Sequence, residues 1–489
     1  MKKVIILTLA ITFSFFINLN LNGDTYLNGS FESSIDIQRD SNNYKWEMYN
    51  PWNRIELRFW SSPLNKTEIY AKAYGDSWRT ENNYERHDSF YLDEAHIGFK
   101  SGEKDNFITY LFIKECRFWL GDPLLNLVNN DYDKWDNKNV SGVVTSISGF
   151  FPGFYSKIFG AKLFNSKVNA YGIRIYKKIL ENHLSVGLTS TYKDWEGDKN
   201  NYNLVYASDI WFNIKKTYFT FEIGQSITPD ILNYTQNNIS YKGELRKTLN
   251  SFKLGELGII ASYRDYGKNF RAYLSKDFDN NRLFDQKGIY LETKYKVPHK
   301  AITITYHLDY WQKHFENYRI MDNYLELYIK FIKGFRFKSF YQRYSEYDWD
   351  KVTITDLNGN IEEVPLLDNV WQHFFAQLEM ENKLVYVKLQ FKIKNMFTDY
   401  LKYLYGVEYS INITDKLKSL NRFIIVDEVY RTRYTLFSQI QYKYSNNVDF
   451  YLGYGNESDS NDDLVNDDNF VESNRNIEHK IHLYIKASF

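Results

Sequence analysis

The chain has 489 residues, 25% of them charged, with 61 basic against 61 acidic side chains and a net charge of zero. No global field therefore draws nucleic acid or acidic polymers toward it, and nucleic acid is not an expected partner. An aromatic content of 18%, with 43 Tyr, and a mean hydropathy of −0.53 exclude a bundle of membrane helices, each needing about twenty consecutive apolar residues; they suit strands in which only every second residue faces lipid. The single cysteine, Cys116, excludes an internal disulfide framework and a multi-thiolate metal site. Within the apolar run 107–120 it reads as a small buried or lipid-facing residue.

The N-terminus carries Lys2 and Lys3, an apolar run over 4–16, and polar or small residues ending at Asn22, Gly23 and Asp24. This is the pattern of a cleaved secretory signal peptide over 1–23, although Leu21 stands where a small residue is usual, and it leaves 24–489 as one mature domain. Strands begin by residues 26–37. Further on, Ile55, Leu57 and Phe59 interleave with Arg54, Glu56 and Arg58, the period that puts alternate side chains on opposite faces of a strand. Ile289, Leu291 and Val297 oppose Glu292, Lys294 and Lys296, and Ile302, Ile304, Tyr306 and Leu308 oppose Thr303, Thr305, His307 and Asp309. Val385, Val387, Leu389, Phe391 and Ile393 alternate with Tyr386, Lys388, Gln390 and Lys392, and that pattern occupies about ten residues, the length of a tilted transmembrane strand.

A soluble sandwich alternates too, so the connections decide. They run short (61–66, 101–106, 214–217, 298–300, 333–334, 381–383) and long (75–88, 121–139, 193–203, 228–240, 265–287, 311–323, 345–369, 456–476) by turns. Short turns on one rim and long loops on the other are expected of a membrane barrel. The count is about 24, with weak boundaries near 165–167 and 430–433, and the expectation is an all-β, antiparallel, up-and-down transmembrane barrel with an even number of strands between about 18 and 24. Only 7 Pro interrupt the chain.

The C-terminal Ile481, Leu483, Ile485, Ala487 and Phe489 alternate with His482, Tyr484, Lys486 and Ser488. This strand resembles the last strand of bacterial outer-membrane β-barrels, and the length, tyrosine-rich strands and polar loops are similar to the porin and polysaccharide-export type. The resemblance is one of class. It implies that Phe489 is a recognition signal for the barrel-assembly machinery, that the outer-membrane bilayer is a partner, and that the chain reaches that membrane after export. A receptor coupled to inner-membrane energy needs a plug domain ahead of its barrel, and the early first strand argues against one.

For the barrel interior, Arg54, Glu56, Arg58, Tyr70, Lys72, Glu292, Lys294, Tyr386, Lys388, Gln390 and Lys392 are candidate pore-lining residues, because mixed charge and aromatic rings make a wet channel wall. In the connection 121–139, Asp122, Asp131, Asp133, Trp135 and Asp136 are candidates for a segment that folds inward to narrow the pore. The connection 345–369 reads as a hairpin around Asn358-Gly359 that extends above the membrane. Asp459, Asn461, Asp463 and Asp467 have the oxygen spacing of a calcium loop, but Leu464 and Phe470 stand where glycine and the bidentate glutamate belong, so a plain acidic loop is the better reading. Neither a nucleophile-and-base motif nor a paired metal-ligand spacing emerges among the nine histidines. The expectation is therefore a non-enzymatic, porin-like channel without cofactor or metal that passes small hydrophilic solutes, with saccharides as a candidate class. The alternatives are a closed barrel acting through its loops as adhesin or receptor, an outer-membrane hydrolase, and a soluble extracellular β-protein.

Overall fold

The period-two pattern is realised as one continuous antiparallel sheet. The computed structural model describes residues 25–39, 46–62, 64, 66–79, 86–102, 106–114, 120–128, 140–149, 151–163, 168–180, 183–195, 198–229, 238–251, 253–274, 285–298, 300–314, 318–355, 361–398, 400–455 and 479–489. In chain order the first twelve strands are β1 (Thr25–Arg39), β2 (Trp46–Ser61), β3 (Thr67–Arg79), β4 (Arg86–Ser101), β5 (Phe107–Ile113), β6 (Val140–Ser148), β7 (Phe154–Leu163), β8 (Val168–Ile179), β9 (Leu184–Trp195), β10 (Asp198–Ile214), β11 (Thr217–Ile227) and β12 (Ile239–Ser251). The second twelve are β13 (Gly255–Tyr266), β14 (Gln286–Lys296), β15 (Ile302–Lys313), β16 (Arg319–Ile332), β17 (Phe335–Thr355), β18 (Ile361–Glu381), β19 (Val385–Lys394), β20 (Lys402–Asn412), β21 (Leu417–Glu428), β22 (Arg431–Lys443), β23 (Val448–Gly455) and β24 (Lys480–Ser488). Each pairs antiparallel with its neighbours in sequence, and the ring closes where β1 meets β24, from Ser30 opposite Ser488 to Gln38 opposite Lys480. The result is a closed up-and-down barrel of 24 strands, the top of the expected range.

Closure satisfies every ladder between strands and leaves no free edge, the condition for spanning a bilayer with sheet. Among the described residues no helix is long and apolar enough to cross a membrane. The outward face carries exposed Leu188, Ile210, Leu325, Leu389 and Leu452 around the ring. Outward aromatic pairs lie toward both rims: Phe212 and Phe219, with centroids 4.9 Å apart, at one, and Tyr171, Tyr192 and Tyr202, spaced 6.2 and 6.0 Å, at the other. An apolar belt flanked by aromatic girdles is the outer surface of a membrane-embedded barrel.

The two rims differ as the spacing predicts. One carries tight turns, among them Lys333-Gly334 and Lys215-Lys216, and in the second both residues have positive φ (48° and 62°) between the paired Ile214 and Thr217. Such a twist suits a two-residue hairpin, but a side-chain-bearing residue there costs roughly 1 kcal/mol that glycine does not. On the other rim much of what reads as loop is strand. β3 and β4 stay paired up to Arg79 opposite Arg86, and β17 and β18, with 21 residues each, pair up to Thr355 opposite Ile361. Continuing the ladder satisfies backbone groups that an open loop would leave to water. The hairpin expected in 345–369 is thus present, while Cys116, Asp131, Asp133, Trp135, Asp136 and the acidic stretch from Asp459 to Asp467 lie outside the described residues.

Candidate functional site

Strand alternation sends the eleven polar candidates to the face opposite the lipid belt, so they lie in the lumen, in three separate places rather than one site. On β2–β4, Arg54 donates to Asp76 at 2.7 Å, Lys72 lies 3.7 Å from Glu56 and 3.3 Å from Asp93, Arg58 pairs with Glu56, and the Tyr70 hydroxyl donates to Glu94 at 3.0 Å. On β14, Glu292 accepts from the Tyr290 hydroxyl at 2.6 Å, and Lys294 shares its face. On β19, Lys388 pairs with Glu408 at 3.2 Å, Gln390 donates to Gln377 at 2.7 Å, and Tyr386 and Lys392 continue the row. Opposite charges thus meet across neighbouring strands of a polar wall.

The wall from β5 to β13 is built differently. The apolar run 107–120 is not one strand: β5 stops after seven residues, Lys114 turns with φ of 55°, and residues 120–128 pack inside the barrel. Leu120 and Val128, with Leu274 from a second inward segment (267–274), bury against the inward-facing Val140, Val144, Phe159, Ala161, Val168 and Ala170. Leu125, Leu127, Phe270 and Ala272 do the same against Val205 and Ala207. Gly224 on β11 makes the close approach possible, since a Cβ there would stand 3.0 Å from Leu125 Cδ1 and 3.4 Å from Phe270 Cε2.

Carboxyl groups fasten the first segment. Glu222, fully buried on β11, accepts the backbone N–H groups of Leu124 and Leu125 at 2.8 and 2.9 Å, and Asp122 accepts that of Leu127 at 2.7 Å. Burial pushes the Asp122 carboxyl up to about 6, against the opposing pull of the Leu127 amide and of the Arg174 guanidinium. The second segment is fastened by side-chain to backbone bonds: Asn203 donates to Arg271 O and accepts from Tyr273 N–H, Ser226 accepts from Arg271 N–H, and the Lys193 ammonium donates to Tyr273 O. Beneath the first segment, Arg174 makes a buried two-pronged pair with Asp209 at 2.7 and 3.1 Å and donates to Thr189. Gly187 leaves the room for it, because a Cβ would stand 2.3 Å from Asp209 Oδ2 and 2.8 Å from Arg174 Nη2.

Of the inward-segment candidates, Asp122 is therefore a buried lumen residue. Sequence reading missed Glu222, Arg174, Asp209 and the whole second segment. A signal was present: β6, β7, β8 and β10 lose their polar face, as in Val143-Val144, Ile158-Phe159 and Ala170-Tyr171, and an inward apolar face in a wet barrel needs something to cover it. A further inward apolar patch, Phe340, Phe375, Leu404, Ile424 and Val426 with Tyr324, lies on the far wall.

Neither a protein-family model nor a curated protein matches the sequence. Among solved structures, the chain is similar to the P pilus tip assembly intermediate PapC-PapD-PapK-PapG of E. coli, with a TM-score of 0.59, 8% identity, and 94% of this chain aligned on 60% of that one. The translocation pore of the P pilus usher PapC (TM-score 0.49, 8% identity, 95% of this chain on 99% of that one) and the siderophore receptor PirA from Pseudomonas aeruginosa (TM-score 0.46, 8% identity, 95% on 80%) also align. With its lipid belt and girdles added to this likeness of fold, the chain is an outer-membrane β-barrel of 24 strands.

Proposed function

We propose that the barrel is a passive channel for small hydrophilic solutes, exported behind a cleaved signal peptide over 1–23 and delivered to the membrane by an assembly machinery that reads Phe489. On this reading it is not an enzyme. One observation carries the proposal. The lumenal cations of β2–β4 and β19–β22 are held by carboxylates of neighbouring strands, as in Arg54 with Asp76, Lys388 and Arg422 with Glu408, and Lys402 and Arg433 with Glu428, the bases outnumbering the acids on β19–β22. Such a wall is wetted, and cations already held by carboxylates grip a passing anion only weakly, the balance a diffusion pore needs. Among the described residues, the inward segments sit on the β5–β13 side and so narrow the lumen from one side.

The test is single-channel conductance of the refolded chain from Asp24 to Phe489 in a planar bilayer, with heat-modifiable gel migration showing that the barrel has formed. Ohmic steps of weak ion selectivity are expected. A folded barrel that never conducts overturns the reading. A second reading, a barrel acting through its loops as receptor or adhesin, is favoured by one feature: at roughly 3.3 Å per residue the 21-residue β17 and β18 reach well beyond the bilayer.

A further inference from the structure

We propose that a cleft in the lumen, beneath the first inward segment, is a binding subsite for a saccharide ring. The channel reading is used only for how such a ligand arrives.

The cleft has a volume of about 400 Å³, within the range of small-ligand sites. It lies toward the short-turn rim. One wall is Tyr176 of β8 stacked on Tyr155 of β7, with centroids 4.8 Å apart and planes 8° from parallel; the other wall is Trp211 of β10. The intervening strand, β9, sets Gly187 opposite Tyr176 and Ser185 opposite Trp211. The cleft exists because β9 puts the small Ser185 between the two aromatic walls, the space over Gly187 being taken by Arg174 and Asp209. Gly121 and Pro123 of the inward segment form its roof.

Its chemistry is mixed in a particular way. The aromatic walls offer π faces, which attract the weakly positive C–H faces of a pyranose. Around them Ser146, Ser148 and Ser185 supply hydroxyls that both donate and accept, matching the hydroxyl rim of such a ring. Two cations line the cleft: Arg174, 5.6 Å from the Tyr176 ring, is neutralised by Asp209 through both prongs, and Lys157 is engaged by a neighbouring group. A fully apolar ligand leaves the hydroxyls unpaired, and an anion finds Arg174 already matched. A neutral, hydroxylated ring satisfies both parts.

The experiment is isothermal calorimetry on the refolded barrel in detergent, with two probes: maltotriose for a neutral glucan and the trimer of N-acetylglucosamine for an amino-sugar glycan. Saturable binding of at least one is expected. Trp211→Ala and Tyr176→Ala should each weaken it about tenfold, the loss of one stacked ring, and Ser185→Phe, which fills the floor, should abolish it. Each variant is first shown to fold by heat-modifiable migration, and Trp211→Phe, which keeps a ring, should restore most of the affinity. Absence of binding for both probes overturns the proposal, and so does affinity unchanged in the three folded cleft variants. A conducting barrel that binds neither probe refutes the cleft and leaves the channel standing. A silent barrel that binds one supports the cleft and refutes only the channel.

Discussion

Replacing Glu222 by alanine should release the first inward segment. Four of its side chains, Leu120, Leu125, Leu127 and Val128, are almost wholly buried, worth about 6–12 kcal/mol together. Ordering a stretch of about nine residues costs roughly 9–18 kcal/mol. The two amide bonds to the Glu222 carboxyl, at about 0.5–1.5 kcal/mol each, are then of the size that decides whether the segment stays down. In Glu222→Ala those bonds are lost and the Leu124 and Leu125 N–H groups need water, which they reach by undocking. The expected result is a larger single-channel conductance and new cleavage within 121–128 by an added protease. Glu222→Gln, whose amide oxygen still accepts both N–H groups, should behave like the parent. Identical conductance and cleavage in Glu222→Ala and parent would refute this account of what holds the segment.

The remaining predictions concern the same wall and one turn. Burial pushes the docked Asp122 carboxyl up to about 6, above its ordinary value of 3.8, so the docked segment binds that proton more tightly than the released one and is penalised while Asp122 is ionised. That penalty is complete above about pH 6 and absent below about pH 4. Conductance should therefore fall on acidification from pH 7 to pH 5, and Asp122→Asn should show the low-pH conductance throughout; a pH response unchanged in the variant counts against the scheme. Arg174→Met strands a buried Asp209 and should cost roughly 3–5 kcal/mol in urea unfolding, with much of it regained in Arg174→Met/Asp209→Leu. In the turn between β10 and β11, Lys215→Asn with Lys216→Gly relieves two positive-φ positions and should raise the unfolding free energy read in urea by about 1–2 kcal/mol; no change would mean the lysines carry no strain.

Strand existence, alternation and rim parity were legible because lipid and water impose opposite demands on alternate residues, and the pattern from Val385 to Ile393 shows both on one strand. The polar candidates on β2, β14 and β19 reached the lumen for that reason. Asp122 was legible only as an acid in a long connection, with no sign of what it would hold. Its fellow latch Glu222 reads in sequence as one more polar residue on an alternating strand, since its burial depends on chain about 100 residues away, at Leu124 and Leu125. The doubly apolar β6–β8 and β10 were the overlooked clue: read as departures from period two, they call for an inward cover. Gly187 and Gly224 carry no signal of their own, because the space each leaves is used by groups on other strands.

The seam between β1 and β24 has a consequence for how the chain reaches this shape. Gly29 and Phe489 exchange backbone hydrogen bonds at 2.9 and 3.0 Å, and across the same joint Lys480 pairs with Asp36 at 2.8 Å and Lys486 with Glu32 at 3.0 Å. Every other ladder joins strands adjacent in sequence and forms locally, whereas this one closes a loop of the entire sheet. Until then β1 is an open, sticky edge that emerges from synthesis first and finds its partner last, the interval in which an unfinished sheet aggregates or borrows a strand from another copy. Lesions at the seam should thus be felt as failed biogenesis, while a barrel already closed would tolerate their modest energetic cost.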